Sequence, residues 1–201
     1  MSTLRVSDTQ SPVEEAGQVR TEELDPQREA LRQAALAQIR QYPDPVLRMR
    51  AREVEDFDQD LVRLVERMTR LMDEANGAGL AANQVGVLRR VFVFHPQADS
   101  EPVAIVNPVI VDRSDEALSE DEGCLSLQGV QVPVERAVSV RLEGRDPEGG
   151  KVSLDLADLG ARVVQHELDH LDGVLVLERT TDEARKDALS ILRPRAMLSP
   201  S

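Results

Sequence analysis

The 201 residues suit a single domain with a terminal extension, and an apolar fraction of 41% is enough to build a packed core. A formal charge of −13 sets the surface against general binding of DNA or of an anionic membrane, because phosphate would be repelled. Aromatic residues make up only 2% of the chain, so the core has to be assembled from Leu, Val, Ile and Ala. A single cysteine, Cys124, excludes an intrachain disulfide and fits a reducing compartment. No apolar run approaches the ~20 residues of a membrane span, and the N-terminus lacks the apolar core of a signal peptide. A cytoplasmic protein is expected.

Residues 1–26 are polar, acidic and without periodicity, and read as a flexible extension. From Pro26 the run "PQREALRQAALAQIRQY" has helical composition, and "PDP" at 43–45 imposes a turn. Leu61, Leu64, Val65, Met68, Leu71 and Met72 recur at helical spacing, which predicts an amphipathic helix stopped by Asn76-Gly77; Met68 and Met72 belong to its core face. The period then changes. "RRVFVFH" and "VAIVNPVIV" are β-branched runs, and "SVRLEGRDPEGGKVSLDL" predicts two strands around a Pro-Glu-Gly-Gly turn. A helix from about Asp158 to Leu171, ended by Gly173, and a last helix over Asp182–Leu192 complete an α+β order. The main domain is expected over 27–192, with a tail over 193–201.

The helix ending at Leu171 contains "VVQHELDHLDG", in which His166 and His170 are four apart with Glu167 after the first. On a helix the two imidazoles share a face, with about 5–6 Å between Cβ atoms, and can grip one metal ion with a carboxylate beside it to move a proton. A catalytic metal needs a third protein ligand. His95 precedes Pro96 at the end of a strand and reads as a loop residue, and Glu178 and Glu183 lie downstream without a compelling spacing. Cys124 stands in "EDEGCLSL", after a glycine and among acids, which are poor surroundings for a core strand.

In order and spacing, "GAGLAANQ" (77–84), "EGCLS" (122–126) and "QHELDH" (165–170) resemble the three signature motifs of peptide deformylases. The resemblance runs from about Gln38 to Val176. It implies a deformylase-like α+β fold, with short antiparallel strands packed around the central metal-binding helix. It also implies hydrolysis of the N-formyl group from the initiator methionine of nascent polypeptides, with release of formate. By the same resemblance the metal ligands are Cys124, His166 and His170, with metal-bound water as nucleophile and Glu167 as the acid/base. The side-chain amide of Gln84 and the backbone N–H of Leu125 become the oxyanion donors. Gly77, Ala78, Gly79, Glu122 and Arg162 fall along the substrate, Gly79 with its backbone against it. Cys-His-His ligation accepts Fe²⁺, Zn²⁺, Ni²⁺ or Co²⁺. The resemblance implies Fe²⁺ in the cell, with Zn²⁺, Ni²⁺ or Co²⁺ in purified protein.

Three positions depart from the common pattern. Arg162, one turn before His166, and Glu120 replace apolar residues of the side-chain pocket, and Ala78 is small. Either Arg162 pairs with Glu120, or it reaches out to solvent and leaves the pocket open; relaxed or shifted side-chain specificity is the expectation. The resemblance further suggests that Asp169 and Arg136 pair and orient the helix. After Ser126, "LQG" replaces a common apolar-Pro continuation. The segment 179–195 carries Arg179, Arg185, Lys186, Arg193 and Arg195 against Asp182, Glu183 and Asp187. This weak excess is a slim basis for transient contact with the ribosome, and a plain solvated helix is the simpler reading. A zincin-like endopeptidase and a non-catalytic formyl-peptide binder are the competing readings of the same motifs.

Overall fold

A computed structural model describes residues 25–192. The expected extension over 1–26, apart from its last two residues, and the tail over 193–201 lie outside the described residues.

Helix α1 (Pro26–Leu36) starts where the Asp25 side chain accepts from Gln27 N–H and Pro26 fills the first turn. It stops six residues before Tyr42, short of the helix expected from composition. The N–H groups of Arg40 and Tyr42 have left the helix for distant partners, the carbonyls of Gln84 and Ser126. Helix α2 (Gln59–Glu74) is capped by Asp58 and buries Leu61, Met68, Leu71 and Met72, the core stripe read from the sequence. Asn76, with a positive φ, turns the chain out of it.

Five strands form one antiparallel sheet in the order β1 (Gly79–Ala81), β2 (Val91–Phe94), β3 (Val103–Arg113), β6 (Ser139–Arg145) and β7 (Lys151–Ala157). Pro108 lies inside β3 and has no N–H for the ladder, and the β3–β6 register shifts there, between Val106 and Val109. The β6–β7 turn is the expected one, with Gly149 at positive φ and the Asp146 carboxylate accepting from Glu148 and Gly150 N–H. A separate hairpin pairs β4 (Ala117–Gly123) with β5 (Gln131–Ala137). Strand β4 has no apolar face: Glu122 is its one buried residue, and its pairing partner β5 supplies the buried Val132 and Val134.

Helix α3 (Asp158–Leu171) packs against β1, β2, β6 and β7 of the sheet and against β5 of the hairpin. Ala161, Val164 and Leu171 join Phe92, Phe94, Ile105 and Leu142 in one core cluster. Helix α4 (Asp182–Leu192) closes over the hairpin through Ala188, beside Val130, Val132 and Val134. The arrangement is α+β, with short antiparallel strands around a central helix, as the sequence led one to expect.

Candidate metal centre

Helix α3 presents His166 and His170 one turn apart, their rings 4.9 Å between centroids and 68° from parallel. Strand β4 ends at Gly123 and delivers Cys124 to the same point. The Cys124 Sγ lies 3.2 Å from His170 Nε2, and one ligand atom from each of the three residues lies within 4.8 Å of the other two. The other candidates for third ligand are elsewhere. His95 bonds Asp73 and the Ser100 carbonyl. Glu178 accepts from Leu175 N–H and pairs with Arg48, and Glu183 is exposed on α4.

The donor set suits a divalent cation. One thiolate and two imidazoles make a three-ligand site of the kind that leaves a coordination position for a reactant. His166 Nδ1 is 3.1 Å from Glu122 Oε2, so in the neutral ring Nδ1 carries the proton and Nε2 is the nitrogen left for an ion. Burial, helped by the charge of His166, pushes the His170 pKa well below its usual range and keeps the ring neutral. At His166 burial also acts downward, but hydrogen bonds to Cys124 and Glu122 outweigh it and raise the pKa well above the usual value.

Glu167 is buried next to the ligands, and burial is the main cause that pushes its pKa up to about 7. Its Oε2 has no hydrogen-bond partner among the described residues. Gly79 lies directly against it: a Cβ at this position would come within 2.5 Å of Glu167 Oε1 and 2.8 Å of Val163 Cγ1. At Gly77 a Cβ would come within 2.7 Å of Leu125 Cδ1. Neither glycine has a positive φ, so close approach of side chains, not turn geometry, requires them.

Gln84 is buried with its amide orientation fixed: Oε1 accepts from Ala81 N–H at 2.8 Å, and Nε2 donates to Ser126 Oγ at 3.1 Å. The same Nε2 is 3.7 Å from Cys124 Sγ, on the ligand side. The Leu125 N–H, in the turn after Cys124, has no acceptor among the described residues.

Behind the ligands lies a network of charges. Arg136 donates through Nε and Nη2 to both oxygens of Glu122, at 2.9 and 3.0 Å, and through Nη1 to Asp169 at 2.5 Å. The expected Arg136–Asp169 pair is therefore present and extends to Glu122, and Arg179 also donates to Asp169. Burial alone would raise the Glu122 pKa, but hydrogen bonds from His166 and Arg136 outweigh it and hold it at about 2. Arg162 donates to Glu120 and Glu122, both at 2.8 Å, and to the carbonyls of Val134 and Leu118. Of the two orientations considered for Arg162, pairing with Glu120 is the one observed. The guanidinium joins α3 to the hairpin instead of reaching for water.

A cleft of about 760 Å³ opens over these groups, between Gly77, Ala78 and Gly79 on one side and Gly123, Cys124 and Leu125 on the other. Leu159, Arg162 and Val163 line its wall next to His166. A family model described as polypeptide deformylase matches residues 36–186, which include every residue of this site. The chain belongs to the polypeptide deformylase family.

Among curated members of the family, peptide deformylase 1 of Corynebacterium glutamicum is 44% identical over 164 residues, covering 81% of this chain and 97% of that protein. The peptide deformylase of Acidothermus cellulolyticus is 45% identical, over 79% of this chain and 87% of its own. Among solved structures, the peptide deformylase of Legionella pneumophila matches with a TM-score of 0.73 at 37% identity, covering 77% of this chain and 91% of that one. The Thermotoga maritima peptide deformylase gives 0.69 at 41% identity, over 71% and 96%. In this deformylase-family chain Asn83 and Ser126 stand inside two of the motifs without a role of their own there, and Gln41 lies outside all three. Ser126 holds the Gln84 amide, Asn83 donates to the His170 carbonyl, and Gln41 donates to the Leu125 carbonyl. Each is a contact between a polar side chain and a group distant in sequence, which leaves no local pattern to read.

Proposed function

We propose that this chain hydrolyses the N-formyl group of formyl-methionyl nascent polypeptides, releasing formate, with Cys124, His166 and His170 as metal ligands. A divalent ion held by these three residues would lower the pKa of water toward about 7 and polarise a carbonyl oxygen. Glu167, buried with one free oxygen beside the ligands, takes the proton from the attacking water and returns it to the departing amine nitrogen. The Gln84 amide and the Leu125 N–H donate to the oxygen that becomes negative as the formyl carbon turns tetrahedral. Glu122 holds His166 by its Nδ1, which would leave Nε2 to bind an ion. The peptide lies in the cleft along the 77–79 segment, and its first side chain rests on Leu159, Val163 and the Arg162 stem.

The observation that carries this reading is the free oxygen of buried Glu167, set beside three ligand atoms that converge within 4.8 Å. Formate release from a formyl-Met-Ala-Ser peptide, with protein prepared without oxygen, tests it. Glu167→Gln should retain its metal and lose about 10²–10⁴ in kcat. Full activity in that variant would refute the assignment.

Ferrous iron is the working ion in this reading, on the family resemblance; the ligand types accept Zn²⁺, Ni²⁺ or Co²⁺ as well. No described helix is long and apolar enough to cross a membrane, and a cytoplasmic site of action fits a nascent-chain substrate. Ribosome contact through the C-terminal segment has less to stand on. Arg179 is tied to Asp169 and Arg185 to the Leu177 carbonyl, which leaves Lys186 exposed on α4, while Arg193 and Arg195 lie outside the described residues.

A further inference from the structure

The tripeptide Arg40-Gln41-Tyr42 belongs to none of the motifs, yet it ties together the two loops that carry Gln84 and Leu125. Arg40 N–H donates to the Gln84 carbonyl at 2.7 Å, and Tyr42 N–H donates to the Ser126 carbonyl at 2.9 Å. Between them the half-buried Gln41 donates through Nε2 to the Leu125 carbonyl at 3.0 Å and to the Ile39 carbonyl at 3.2 Å. Both partners are acceptors, so the amide orientation is settled by its surroundings.

We propose that Gln41 is a positioning residue for the oxyanion donors, an inference that rests on the deformylase reading above. Two peptide planes flank the Leu125 Cα. The Cys124 carbonyl of the first accepts from Leu127 N–H at 3.0 Å, and the Leu125 carbonyl of the second is held by Gln41. With both planes fixed, the Leu125 N–H keeps one direction before substrate arrives. The Gln84 amide is tied to the same turn through Ser126 Oγ, and its backbone to Arg40, so the strap holds both donors at one separation. Donors fixed in advance need no reorganisation as charge develops, and that advantage is confined to the transition state. Gln41 lies outside the lining of the cleft and acts through Leu125.

The test compares metal-loaded wild type with Gln41→Met, which keeps the side chain's length without a donor, and Gln41→Glu, which sets a carboxylate against two carbonyls. Gln41→Lys, which retains an N–H donor on a flexible stem, serves as the rescue. For Gln41→Met, kcat for formyl-Met-Ala-Ser should fall about three- to tenfold, the effect of one neutral hydrogen bond, with KM nearly unchanged. Gln41→Glu should fall further, and Gln41→Lys should recover most of the loss. A peptide hydroxamate, whose carbonyl oxygen takes the oxyanion's place, should lose affinity in step with kcat. The affinity for the deformylated product peptide and the metal content should stay constant. Unchanged kcat in both the Met and Glu variants overturns the proposal. So does a uniform loss in kcat, KM, hydroxamate and product binding, the mark of general misfolding; if the Met variant does not fold, the Glu and Lys variants decide. A wild type that releases no formate would refute the underlying reading instead.

Discussion

The carboxylate of Glu167 rests on the bare Cα of Gly79, so near that a Cβ there would come within 2.5 Å of Oε1. Backbone and carboxylate therefore occupy complementary shapes, and the glycine makes room for the Glu167 side chain. Gly79→Ala should displace Glu167 while leaving Cys124, His166 and His170 in place. The expected result is a loss of at least about 10² in kcat, the lower range for a positioned proton-transfer group. Overpacking should cost about 1–3 kcal/mol of stability. Steady-state formate release, urea unfolding and metal analysis on one preparation separate these effects; activity within a few-fold of wild type would contradict the packing argument.

Glu122 is the node of the buried charge network, with one oxygen shared by Arg136 and Arg162 and the other by Arg136 and His166. Removing its charge leaves two guanidinium groups short of a partner. Glu122→Gln should therefore destabilise the fold by roughly 3–5 kcal/mol, the usual cost of breaking a buried pair. It should also weaken metal binding by about 10–100-fold, because His166 loses the acceptor that fixes its tautomer. Unfolding in urea and competition with a chelator of known affinity measure the two effects separately. A variant with weaker stability but unaltered metal affinity would place Glu122 in the scaffold alone.

Much of this arrangement was open to reading from sequence, and the reasons differ by element. Helices α2 and α3 announce themselves because an apolar stripe at 3.6 spacing sits between an Asp or strand end and a Gly or Asn stop. The β6–β7 hairpin follows from Asp-Pro-Glu-Gly-Gly, whose turn chemistry is local. Strand β4 could not be read, since "ALSEDEG" has no alternating apolar face and is a strand only through its register with β5. The end of α1 is hidden for a related reason: helical composition continues past Leu36, but the N–H groups of Arg40 and Tyr42 find acceptors more than 40 residues away. At the site, the motifs marked the groups that could do chemistry. Glu122 lines the cleft, as a substrate neighbour would, and both its oxygens are engaged by Arg136, Arg162 and His166 as well. Long-range hydrogen bonds of this kind have no period in sequence.

Arg162 brings a charge to the wall of the side-chain pocket, but its donors already meet Glu120, Glu122 and the carbonyls of Val134 and Leu118. What remains for a substrate is the methylene stem beside Leu159 and Val163. The pocket should then accept apolar first residues broadly. Formyl-Met and formyl-norleucine peptides are expected to differ by less than about threefold in kcat/KM, and formyl-Glu to fall roughly a hundredfold below them, as an unpaired carboxylate would be left against an apolar wall. A formyl-Glu peptide turned over as fast as formyl-Met would mean that Arg162 abandons Glu120 and Glu122 for the substrate. Arg162→Leu should cost about 1–3 kcal/mol in stability, for the acceptors it deserts, and retain metal because Arg136 still holds Glu122.

Cys124 separates the proposed ligand set from that of a protease whose third ligand follows the helix. Its Sγ lies 3.2 Å from His170 Nε2, while Glu178 is occupied by Leu175 N–H and Arg48 and Glu183 faces solvent. Cys124→Ala should lose its metal on gel filtration and release no formate. The wild type should show a higher Tm with metal than after chelation, because an ion that binds only the folded chain stabilises it by about 4 kcal/mol at a thousandfold excess over Kd. In Cys124→Ala the same chelator should leave Tm unchanged, since little remains to remove. Retention of one ion per chain by that variant would return a downstream carboxylate to consideration and, with it, the endopeptidase reading of the two histidines.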